Sequence, residues 1–65
     1  MTKEEVVFDE RNKAQFVLDD DGFVQTIDVY AEGRALKETK YVYSSSSPRP
    51  EKAAAIKKAK EMLGL

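Results

Sequence analysis

Histidine, cysteine and a base-activated serine do most of the acid–base and nucleophilic work in proteins. This 65-residue chain has no histidine, no cysteine and no tryptophan. The usual zinc ligand, proton shuttle and physiological pH switch are therefore missing from the sequence. The serines, Ser44, Ser45, Ser46 and Ser47, stand in one run with no base near them in sequence, so no activated nucleophile is evident. Asp19, Asp20 and Asp21 offer adjacent carboxylates, but the spaced oxygen ligands and terminal glutamate of a calcium loop do not follow. The three glycines are isolated, which excludes a glycine-rich phosphate cradle. The expectation is a non-enzymatic protein with no catalytic, cofactor-binding or metal-ligating residue, no cofactor and no small-molecule substrate.

What remains is the chemistry of contact, in cations and aromatic rings. Residues 1–33 carry three basic and nine acidic side chains, whereas residues 34–65 carry eight basic and three acidic ones. The net charge is −1 and the pI near 5.4. Such asymmetry between halves fits a polyanion partner or head-to-tail self-association, and fits equally well two halves that each carry solubilising charge. Phosphate contacts, if any, would come from Arg34, Lys37, Lys40, Arg49, Lys52, Lys57 and Lys58, with tyrosines as stacking platforms. The overall acidity opposes strong nonspecific nucleic-acid binding.

These side chains must be positioned by a small fold. A chain of this size makes one domain, residues 1–65, and buries only about 60% of the surface of its unfolded form. Without disulfides, oligomerisation is the remaining aid to its core. No apolar run has membrane-spanning length and the N-terminus lacks an apolar signal region, so the sequence predicts a soluble cytoplasmic protein without membrane contact.

Residues 50–63 predict the single helix. Pro50 suits the first helical position, alanines raise the propensity, and Gly64 is a natural stop. At 100° per residue Ala55, Ile56, Ala59, Met62 and Leu63 share one apolar arc. Residues 5–43 read as strands. Val6-Val7-Phe8 is a first strand, residues 10–13 a turn, and Ala14, Phe16 and Leu18 alternate along a second strand. Asp21-Gly22 predicts a two-residue hairpin turn that sets Phe16 opposite Ile27, Ala14 opposite Val29 and Leu18 opposite Gln25. Glu32-Gly33 predicts the next turn, pairing Val29 with Leu36 and Asp28 with Lys37, with a bulge or a longer loop as the alternative. The last strand runs from about Ala35 to Tyr43, and residues 44–49 are a polar Ser/Pro connector. The fold class is α+β: a four-stranded antiparallel β-meander packed on one C-terminal α-helix, in the order ββββα. Phe16, Leu18, Ile27, Val29, Leu36, Ile56, Ala59 and Leu63 are the expected core.

The string TIDVYAEGRALKE at residues 26–38 resembles the second and third strands of a double-stranded RNA-binding domain, and KAAAIKKAKEML at residues 52–63 is similar to the alanine-rich last helix of that family. The resemblance implies RNA binding through the start of that helix. There, Pro-Arg-Pro-Glu-Lys replaces the family's Lys-Lys-x-Ala-Lys; no residue matches that motif cleanly, and only Arg49 and Lys52 could stand in for its phosphate-gripping lysines. The family opens on a helix, where this sequence predicts a strand. The same order of elements is also similar to that of small phage or bacterial modules and of idealised designed proteins.

One helix covers one side of a sheet. The predicted register leaves Val17, Val24, Tyr30, Tyr41 and Tyr43 on the other side, an apolar and aromatic patch of the kind that marks a contact surface. The sequence therefore favours an interaction module that binds a protein partner or a second copy of itself, as a homodimer, through the open sheet face. The alternative is a nucleic-acid-binding module using the basic C-terminal half and exposed tyrosines.

Overall fold

A computed structural model describes all residues, 1–65. Four antiparallel strands, β1 (Thr2–Val7), β2 (Asn12–Leu18), β3 (Val24–Ala31) and β4 (Lys40–Val42), form one sheet in the order β1-β2-β3-β4, followed by α1 (Lys52–Leu63). This is the expected ββββα architecture. No helix is long and apolar enough to cross a membrane.

The alternation along β2 and β3 sets the core. Ala14, Phe16 and Leu18 from β2, Val24, Ile27 and Val29 from β3, and Ala55, Ala59 and Leu63 from α1 are all buried. The three helical residues recur every fourth position, so one stripe of α1 rests on the sheet. That stripe is centred on small alanines, and it leaves Ile56 and Met62 half-buried at its margin. Leu36 is likewise only half-buried. Ile56 and Leu36 were expected in the core and lie at its margin, whereas Ala14 and Ala55, read on the core-facing strand face and helix arc, are fully buried, and Val24 joins them.

The first hairpin turn differs from the two-residue expectation and the second takes the longer-loop alternative, both for one reason. A two-residue type I′ turn needs positive φ at both central residues, and only glycines here have positive φ. The first connection is therefore a three-residue loop, residues 20–22, with Gly22 at φ 86°. The Asp19 amide donates to the Phe23 carbonyl at 2.8 Å, and the Asp19 carboxylate accepts from the Asp21 and Phe23 amides at 2.9 Å each. Leu18 consequently pairs with Val24 rather than Gln25, and an irregularity at Gln25 restores the predicted pairing from Val17–Thr26 to Ala14–Val29. The bulge turns Val24 into the core.

The second connection is longer still. Glu32 does not adopt the left-handed region, and the chain stays irregular until β4, where Asp28 pairs with Lys40, Ile27 with Tyr41 and Thr26 with Val42. The predicted Asp28–Lys37 pairing is thus slipped by three residues, and the strand expected over 35–43 shrinks to Lys40–Val42. An odd slip exchanges the faces of a strand.

The strand and helix starts also move. β1 begins at Thr2 because charged Lys3, Glu4 and Glu5 continue the ladder, and its link to β2 is an Asp9-centred turn over residues 8–11 rather than 10–13. α1 begins two residues late. Glu51 is extended (φ −70°, ψ 163°), and the Pro50 carbonyl accepts from the Val24 amide at 2.9 Å. At the other end, Gly64 (φ 75°) and Leu65 donate to the Glu61 and Lys60 carbonyls, closing the helix as a Schellman motif.

Candidate contact surface on the open sheet face

Strand pairing sorts the sheet into rows across its uncovered face. One row reads Glu5, Gln15, Asp28, Lys40; beside it runs Lys3, Val17, Thr26, Val42; on the other side stand Val7, Lys13 and Tyr30. Val7, Val42 and Tyr30 are 63%, 61% and 48% exposed. The Lys13 ammonium sits 5.7 Å from the Tyr30 ring centroid, within cation–π range. The surface is chequered: apolar groups flank a central charged row that runs from an anion on β1 to a cation on β4. A cleft of about 770 Å³ opens at one end, between the residue 9–12 turn and the irregular segment after β3, lined by Val7, Lys13, Tyr30 and Leu36 among others.

Of the residues expected on this face, Val17 and Tyr30 lie there. Val24 does not: the bulge at Gln25 places it in the core with no exposure. Tyr41 and Tyr43 do not either, because the three-residue slip carries them to the helix side. There Tyr41 pairs with Ile27, its ring centroid is 4.9 Å from that of Tyr43, and the Lys58 ammonium lies 4.7 Å from it. Burial pushes the Tyr43 phenol pKa up, and the neighbouring Tyr41 and Glu61 add to the effect. The same slip brings Val42 onto the open face. Val7 joins it as the last residue of β1. Neither was identified from the sequence, although Val7 was within the first predicted strand; the signal that would have found Val42 is the inability of Glu32 to sit at positive φ.

The expected phosphate contacts are dispersed. Arg34 donates through one nitrogen to the Leu63 carbonyl at 2.7 Å and to the Asn12 side-chain oxygen at 3.0 Å, so it ties the end of α1 to the start of β2. Arg49 pairs with Asp19 at 3.4 Å, and the Lys52 ammonium pairs with the Glu4 carboxylate. Lys58 lies over Tyr41. Lys40 is on the open face, opposite to the side covered by the helix, while Lys37 and Lys57 are exposed, one between β3 and β4 and the other on α1. The seven cations do not converge on one face.

The aspartate run is structural at its first member. Hydrogen bonds from the Phe23 amide, then the Asp21 amide and the Arg49 guanidinium, hold the Asp19 carboxyl below its ordinary range against a smaller opposing effect of burial. Asp20 meets the N-terminal ammonium at 3.5 Å.

No protein-family model, curated protein or solved structure matches this chain. In the segment that resembles the double-stranded RNA-binding family, residues 26–38 hold one strand, β3, followed by an irregular connection, where the resemblance implies two strands around a tight turn. The chain opens on β1, where that family opens on a helix.

Proposed function

We propose that this chain is a small non-enzymatic interaction module whose open sheet face is a protein-contact surface. The observation that carries the reading is that α1 covers one side of the sheet while the other exposes Val7, Val42 and Tyr30 at about half or more of their surface. Apolar groups interleaved with charge, on a rigid scaffold, fit a protein partner that is itself mixed in polarity. The dispersion of the basic residues weighs against a nucleic-acid site, because Arg34, Arg49 and Lys52 are already engaged within the chain and a phosphate track needs cations along one path.

The test is amide chemical-shift mapping of isotope-labelled protein against single-stranded DNA, duplex RNA and duplex DNA at low salt. The reading expects no perturbation by any of the three. Binding whose affinity falls linearly on a log–log salt plot, and whose slope flattens in Lys57→Gln with Lys58→Gln, would transfer the function to nucleic acid.

A further inference from the structure

The rows of the open face are ordered by charge, and that order carries information about what fits. Glu5 on β1 and Lys40 on β4 stand at opposite ends of one row, separated by Gln15 and Asp28. Consider a two-fold axis lying parallel to the strands, just above the face. It carries β1 over the partner's β4 and β2 over the partner's β3, and leaves every row in register. Glu5 then faces the partner's Lys40, Gln15 faces the partner's Asp28, and Lys13 faces the partner's Tyr30. Each match occurs twice, as an isologous interface requires. Packed sheets lie about 10 Å apart, a gap that glutamate and lysine side chains span together. An axis across the strands would do the reverse, placing Glu5 on the partner's Glu5, Asp28 on the partner's Asp28 and Lys40 on the partner's Lys40.

The edges of the sheet offer no competing route. β1 presents Lys3, Glu4 and Glu5 in succession, and β4 is three residues long; charged and short edges both disfavour strand addition. We propose that a second copy of this chain docks face to face on the open sheet, related by a two-fold axis along the strands and held in register by Glu5–Lys40 pairs. The proposal rests on reading this face as a protein-contact surface.

Sedimentation equilibrium on the full chain, from dilute solution to about 1 mM, tests it, a range chosen because a single small sheet face makes a low-end interface. The wild type is expected to shift from monomer to dimer with concentration. Glu5→Lys and Lys40→Glu each replace two attractive pairs with two repulsive ones, so each alone should associate at least about tenfold more weakly. Their equimolar mixture restores both opposite-charge pairs and should regain wild-type association. Wild-type protein that stays monomeric throughout overturns the second copy as occupant, and leaves the protein-contact reading to the nucleic-acid titrations. Dimerisation that the mixture does not restore overturns the two-fold arrangement alone. A measurement on the wild type keeps the test independent of variant folding: isotope-filtered NOEs should connect Val42 to the partner's Lys3, residues that two intervening strands separate within one chain, and their absence in a dimer contradicts the arrangement.

Discussion

Phe16 and Ile56 illustrate how position decides the weight of a side chain. Phe16 is fully enclosed between sheet and helix, whereas Ile56 sits at the margin of the helical stripe. Phe16→Ala should cost about 3–5 kcal/mol, comparable with the whole stability of a domain this small at about 0.05–0.15 kcal/mol per residue. Ile56→Ala should cost about 1–2 kcal/mol and leave the fold intact, since part of its side chain remains in water. Urea titrations of the two variants check the contrast; equal losses would place α1 in a different rotation.

Asp9 and Asp19 contribute to acid sensitivity at the same scale. Backbone and side-chain donors lower both carboxyl pKa values from 3.8, led by the Arg11 amide at Asp9 and the Phe23 amide at Asp19. A lowered folded value means that the stabilisation is full above the unfolded value and is lost as pH falls through the folded one. Melting temperature should therefore be level above about pH 5 and fall below about pH 4. Asp19→Ala should lower the plateau and shallow the acid descent; a descent unchanged by that substitution would remove Asp19 from the account.

At the scale of elements, the end of α1 is fixed by two independent devices, the left-handed Gly64 and the Arg34 side chain on the Leu63 carbonyl. Gly64→Ala forces a Cβ into positive φ and should cost about 1 kcal/mol. Arg34→Ala should cost a similar amount, about 1 kcal/mol, by freeing the Leu63 carbonyl and the Asn12 link. Hydrogen exchange should show the final turn of α1 fraying in both variants while β2 and β3 stay protected. Only the first device was visible beforehand. Gly64 was legible as a stop because its place after an apolar stripe is local, but the Arg34 contact joins residues 29 positions apart.

The same division between local and distant determinants runs through the sheet. The helix and the pairing from Ala14–Val29 to Val17–Thr26 were legible because periodicity is a local signal, whereas β1 and β4 were placed without their bounds: β1 reaches back to Thr2 and β4 shrinks to Lys40–Val42. The face of β4 was not legible. It depends on the length of the connection after Ala31, which is set by the φ that Glu32 refuses and by where Thr39 finds the Val29 amide, at 2.8 Å. The longer connection thus carries Tyr41 and Tyr43 to the helix side and Val42 to the open face. Val24 was misplaced for a related reason, since a bulge leaves no mark in the alternation it interrupts. The uncovered side of the sheet was legible as such, though not in its composition.

At the scale of the whole molecule, one side of the sheet carries the buried core and the other is left uncovered by the helix. Val7, Val17 and Val42 contribute nothing to the buried core, so they can be altered without unfolding it. Anything that binds only the folded state raises its apparent stability in proportion to its concentration, a second copy included. The most direct measurement is therefore the melting temperature as a function of protein concentration, for the wild type and for the combined Val7→Thr, Val17→Thr, Val42→Thr variant. The wild-type value should climb with concentration, while the variant should hold a constant value close to the wild-type dilute limit. A wild-type melting temperature that does not move with concentration, or a variant that climbs as the wild type does, would contradict a second copy docking on the open face.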